Sequence, residues 1–211
     1  MSILVTPSLF GSVDFYSSTS GYWHEKAAKD LDGMLNRNQE WNPSFHVDRG
    51  IRFEKALEFE CSKPQPRGTK LFNEIVQRCH NGVWQKKTKK IIEHEGEEYC
   101  LYGKIDVWFF NEIIDVKTTD VGKTYDDYRA KYLTSMQHHM YCFTEGIDKF
   151  TYIVALFKKD TQELHSVIEL QHESTIQEEE KHIRKKLDQL LNFFSMEPEL
   201  NKAWREKYSL Y

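Results

Sequence analysis

Glycine and proline are scarce, ten and five of 211 residues, which excludes a collagen-like or low-complexity chain. No apolar run exceeds about half a dozen residues, against the roughly 20 that a spanning helix requires, so no membrane partner is expected. The start of the chain, Met1-Ser2-Ile3-Leu4-Val5-Thr6-Pro7, lacks the basic and apolar regions of a signal peptide and points to the cytoplasm. Cysteine is sparse and dispersed: Cys61, Cys79, Cys100 and Cys142 include no close pair. Zinc knuckles and redox motifs need two sulphurs on one turn, so four reduced, buried thiols are expected. No phosphate-cradling glycine loop is present, so ATP is not expected.

Hydrophobic residues make up 39% of the chain and aromatics 14%, enough for a substantial core. No linker or repeat divides the sequence, and residues 1–211 are expected to form one domain. Charge is nearly balanced, 29 basic residues against 33 acidic for a net −4. That neither advertises nucleic-acid binding nor forbids a local basic groove. Lys86–Lys90, Lys158-Lys159 and Arg184-Lys185-Lys186 are the basic clusters that would line one, although such runs are often only solvated faces.

Periodicity predicts helices over residues 20–38, 46–60 and 70–84, then three strands within 89–118 turning at Glu95-Gly96-Glu97 and near Asn111-Glu112. A helix follows over 124–145, then a buried strand Phe150–Phe157 with His165–Leu170 as its hairpin partner, and helix through the last forty residues. The expected fold class is α/β: a helix, a three-stranded meander, a helix and a strand around a mixed sheet, with added helices at both ends.

The segment richest in chemistry runs from Gly103 to Thr118. Side chains alternate along a strand, so Asp115 and Lys117 share a face. With Asn111 and Glu112 as a two-residue loop, Asp106 lies opposite Lys117. With the loop shifted by one residue at both flanks, it lies opposite Asp115. Either of these registers clusters two carboxylates and an ammonium, whereas a three-residue loop would set Asp106 opposite Val116 and break the cluster. A remedy for repelling carboxylates is a hard cation with oxygen ligands. Asp106, Asp115 and the Val116 carbonyl could supply such ligands. On the helix over 46–60, Glu54 falls inside the apolar arc, with Glu58 in nearly the same direction, and wheel geometry does not choose between them. Gln137 and Tyr141 stand one turn apart and can lean over the same cluster. His138 and His139 make a poor zinc pair, since adjacent helical residues point about 100° apart. One is expected to be partly buried and the other to face the groove.

In order, the chain carries Arg49-Gly50-x-x-x-Glu54, Gly103-x-x-Asp106, Asp115-Val116-Lys117 and Gln137-x-x-x-Tyr141. This resembles the PD-(D/E)XK nuclease superfamily, in particular RecB-type nuclease domains and phage-type exonucleases related to lambda exonuclease. The resemblance covers residues 46–145. It implies the restriction-endonuclease-like core and a Mg²⁺- or Mn²⁺-dependent deoxyribonuclease, in recombination, repair or phage DNA processing. Glu54, Asp106, Asp115 and Lys117 would be catalytic. Glu54, Asp106, Asp115 and Val116 would hold metal, and Gln137 and Tyr141 would contact substrate. Ile114 stands where the superfamily's name has proline. Some relatives carry an iron–sulphur cluster on a downstream cysteine group; no cysteine follows Cys142, so no cluster is expected. DNA is the implied partner, with a single-strand annealing or recombination protein beside it, in a bacterial or phage-infected cell. Ring-shaped relatives leave a homo-oligomer open. A structure-specific endonuclease and a non-cutting binder are the alternatives.

Overall fold

The computed structural model describes residues 2–36 and 44–210. In chain order these form β1 (Ser2–Val5), α1 (Pro7–Ser18), α2 (Tyr22–Asn36), α3 (Phe45–Cys61), α4 (Lys70–Cys79), β2 (Val83–His94), β3 (Glu97–Trp108) and β4 (Ile113–Asp120). Then come α5 (Tyr125–Leu133), α6 (Met136–Glu145), β5 (Lys149–Phe157), β6 (Leu164–Glu173), α7 (Ile176–Met196), α8 (Pro198–Tyr208) and β7 (Ser209–Leu210). The expected α/β class and core order are present as α3, the β2–β4 meander, the α5–α6 segment and β5.

The strands form one mixed sheet in the order β6-β5-β4-β3-β1-β7, with β2 also paired to β3. Helices cover both faces, so central strands must be apolar on both sides. Along β5, Phe150, Tyr152, Val154 and Leu156 enter a core with α1, α6, α7 and α8, where Phe10, Met140, Leu187 and Trp204 are buried. The alternate residues Ile153, Ala155 and Phe157 meet Phe53 and Leu57 of α3 and Ile75 of α4 in a second core. The four cysteines are buried free thiols.

Several boundaries differ from the sequence expectation, each for a local reason. The third helix stops at Cys79 rather than residue 84, because Asn81 adopts a positive φ of 66° and Gly82 lies under β3. A Cβ on Gly82 would come within 2.2 Å of Val107 Cγ1. β2 therefore begins at Val83 and contains the basic cluster 86–90 itself. The helix expected over 124–145 is two helices. Thr134 closes α5, and the Ser135 side chain opens α6 by accepting the Gln137 N–H at 3.1 Å. The last forty residues break at Pro198 and end in β7, which pairs with β1. Residues 37 and 38 of the first expected helix lie outside the described residues, and β1 and α1 were not foreseen.

Candidate active site

The β3–β4 hairpin pairs Val107 with Ile114 and Trp108 with Ile113, and the Phe109 N–H donates to the Glu112 carbonyl at 2.8 Å. The loop is thus Phe110-Asn111, and the register is the one that sets Asp106 opposite Asp115. Past Val107 the two strands part. The Val116 N–H is taken by Asp106 Oδ2 at 3.0 Å. On the same side of β3, Glu98–Leu101 pair with β1. The intervening stretch, residues 102–106, faces the gap between β1 and β4. A cleft of about 480 Å³ occupies this region, lined by Thr6, Ser8, Gly103, Lys104, Lys117 and Gln137 among others.

Asp115 is completely buried. Its Oδ1 accepts from the Gln137 amide at 2.5 Å, and its Oδ2 is ion-paired with Lys117 Nζ at 2.6 Å. Burial raises its pKa to about 8 against the opposing charge of Lys117, with Asp106 and Glu54 pushing further up. Burial would lower Lys117, but the adjoining Asp115 and Asp106 raise it well above the ordinary lysine range. Glu54 on α3 is half-buried, and Glu58 one turn later is exposed. Burial and the charge of Asp106 raise Glu54 to about 7, with Lys117 and Lys104 opposing. The structure thereby separates the two glutamates that the helical wheel could not. Among the described residues, Glu54, Asp106 and Asp115 do not bring three carboxylate oxygens within 4.8 Å of one another. They act on each other as charges, Asp106 raising both Glu54 and Asp115.

Tyr141 is buried, and its hydroxyl donates to the Lys104 carbonyl at 2.9 Å. Its ring lies so close to Gly103 that a Cβ there would sit 2.3 Å from Tyr141 Cε1, which gives this glycine a packing reason. Val116 pairs with Ile153 of β5 and turns its side chain into the α3-side core. Arg49 of the first motif is buried and bonds Asp120 Oδ1 at 2.6 Å and Gln162 Oε1 at 2.8 Å.

One expectation needs correction. Neither His138 nor His139 lines the cleft. His138 is wholly buried and pushed down to about 2 by burial and by His139 and His172, while His139 bonds Glu179 on α7. Within the basic clusters, Lys86 pairs with Glu145, Lys90 bonds the Phe143 carbonyl, Lys158 pairs with Glu163, and Lys186 pairs with Asp14.

Sequence reasoning missed two helix starts at the cleft. Thr6 caps α1 by accepting the Leu9 N–H at 3.2 Å, with Pro7 in the first helical position, and Ser135 caps α6. The Thr-Pro-Ser signature of a helix start was readable at 6–8. Unpaired N–H groups at such ends favour phosphate, and Lys104 and Lys117 line the same cleft.

No protein-family model matches the chain, and neither does any curated protein. Among solved structures, SSO0001 is similar with a TM-score of 0.53 at 14% identity, over 89% of this chain and 75% of that one. A phage-related exonuclease from Haemophilus somnus 129PT gives 0.49 at 14% identity, over 91% and 96%. An alkaline exonuclease from Laribacter hongkongensis gives 0.47 at 14% identity, over 96% and 92%. The likeness to SSO0001 is one of fold.

Proposed function

We propose that this chain is a Mg²⁺- or Mn²⁺-dependent deoxyribonuclease of the PD-(D/E)XK kind, hydrolysing phosphodiester bonds as an exonuclease at duplex ends. The observation that carries the reading is the placement of Asp115, buried and opposite Asp106 where β3 and β4 part, with Lys117 against it. A carboxylate whose pKa is raised by burial, and further by the charges of Asp106 and Glu54, fits a hard dication, which stabilises its ionised form and relieves that repulsion. Asp106 and Asp115, with Glu54 and the Val116 carbonyl, are the groups that would hold it. Such an ion supplies an acidified water and a sink for charge on the phosphoryl oxygens.

The chain's own residues have separable tasks. Gln137 fixes the orientation of Asp115 through Oδ1. Lys117 reaches from β4 into the cleft, where its ammonium can hold an attacking water and offset negative charge on the scissile phosphate. Lys104 and the first turns of α1 and α6 offer positive potential to the flanking phosphates. Tyr141 holds the Lys104 carbonyl and so shapes the strand path. Contacts to phosphates position a strand without reading its bases, so weak sequence preference is expected. The same reading takes residues 1–211 as one nuclease domain, working in the cytoplasm of a bacterial or phage-infected cell on DNA in recombination, repair or phage DNA processing. It has a single-strand annealing or recombination protein as partner and allows a homo-oligomer.

The test is cleavage of end-labelled linear duplex and of covalently closed circular DNA, with Mg²⁺, Mn²⁺ or EDTA. Metal-dependent loss of the linear substrate alone supports the proposal. Nicking of the circle replaces the exonuclease with a structure-specific endonuclease, and cutting of neither substrate overturns the nuclease reading.

A further inference from the structure

On the side of α6 away from the cleft lies a second polar cluster buried in the α6–α7 core. His138 and His139 come from α6, His172 from β6, and Glu179 and His182 from α7. Glu179 is completely buried, yet it is a carboxylate with two imidazole partners: His139 Nδ1 on one oxygen and His172 Nε2 on the other, both at 2.6 Å. The third imidazole, His138, is equally buried. Its Nδ1 meets the Tyr152 hydroxyl at 3.2 Å, and its Nε2 has no partner. The His138 ring centroid is 4.0 Å from that of His139 and 4.3 Å from that of His172.

Three features of this arrangement point to a cation. One ring nitrogen from each of His138, His139 and His172 lies within 4.8 Å of the others. Tetrahedral Zn–N bonds of ~2.0–2.1 Å imply a separation of about 3.3 Å, so the rings would draw together around an ion. Each of the three also has one nitrogen at an oxygen: His138 Nδ1 at the Tyr152 hydroxyl, and His139 Nδ1 and His172 Nε2 on the two oxygens of Glu179. That is the outer-shell pattern which fixes a ligating imidazole's tautomer and orientation. Finally, a buried, unpaired ring nitrogen is costly unless something accepts its lone pair or proton. The 100° objection to two adjacent histidines does not hold here, because the His138 and His139 rings turn toward each other, their centroids 4.0 Å apart.

We propose that His138, His139 and His172 bind one transition-metal ion of the Zn²⁺ class, tying α6 to β6 and, through Glu179, to α7. Imidazole donors and burial favour such an ion over Mg²⁺. Since His138 adjoins Gln137, the site would brace the helix that orients Asp115, as a structural element apart from the chemistry in the cleft.

The test uses the full chain without an affinity tag, stripped of metal and titrated with Co²⁺ and then Zn²⁺. The expected result is a visible Co²⁺ ligand-field band saturating at about one equivalent, displaced by Zn²⁺, with a rise in Tm on Zn²⁺ addition. Asp115→Asn should keep the band, whereas His139→Gln/His172→Gln should lose it and still gain stability from Mg²⁺. Glu179→Gln should weaken Co²⁺ binding roughly tenfold or more. No saturable band in the wild-type chain, or an undiminished band in the double variant, overturns the proposal.

Discussion

Asp106 Oδ2 accepts the backbone N–H of Val116 at 3.0 Å, so a side chain from one strand takes up a main-chain donor of the next, just where the hairpin opens. One carboxylate thus has a structural and a chemical duty, and substitutions can part them. Asparagine retains an acceptor oxygen, whereas alanine leaves a buried N–H unpaired at a cost of about 1–3 kcal/mol. Asp106→Asn should keep near-normal stability in urea and lose cleavage. Asp106→Ala should lose both.

Gln137 touches Asp115 without standing among the proposed metal ligands. Gln137→Ala should lower kcat by about tenfold to a hundredfold, since orienting groups of this kind contribute on that order. Far-UV circular dichroism should change little. A variant with unchanged kcat would show that the 2.5 Å bond has no bearing on turnover.

Glu54 and Glu58 are separated by one helical turn, and only Glu54 faces the charge of Asp106. Glu54→Ala should be severely impaired in metal-dependent cleavage and Glu58→Ala close to wild type. The reverse ranking would move the helix-borne ligand to Glu58.

The raised pKa values of Glu54, about 7, and Asp115, about 8, have opposite effects on metal binding and on stability. A cation must displace the protons these groups keep at lower pH, so Mg²⁺ affinity should rise between about pH 6 and pH 9. Both folded-state values exceed the unfolded ones of about 4. Ionisation therefore costs the metal-free fold, and its stability should fall as pH rises from about 4 through these values and level off above about pH 8. Thermal unfolding in EDTA and in Mg²⁺ at both ends of the window measures the two effects. A larger Mg²⁺-induced gain at the acid end would contradict the assignment.

Much of this was legible because the site sits on regular elements. The alternation that places Asp115 and Lys117 on one face belongs to any strand, and a two-residue loop left only two registers for Asp106. The sequence could not choose between them, because the decision lies in the Phe109–Glu112 hydrogen bond of the loop. Glu54 was ambiguous with Glu58 for a similar reason: burial depends on what α3 packs against, which a wheel does not contain. The break at Thr134-Ser135 hid inside a continuous apolar stripe, since Tyr128, Tyr132, Met140 and Tyr141 all enter the same core. The histidine cluster was out of reach, because His172 and Glu179 are distant in sequence from His138 and meet it only through β6 and α7.

Cleavage by Lys117→Ala, measured beside its Mg²⁺ affinity by calorimetry, is the most direct test of the central claim. Lys117 is proposed to serve the attacking water and the phosphate, while the carboxylates hold the ion. The account therefore predicts that hydrolysis of linear duplex is abolished while Mg²⁺ binding persists, and that Asp115→Asn loses both. Wild-type rates of cutting by either variant would contradict it.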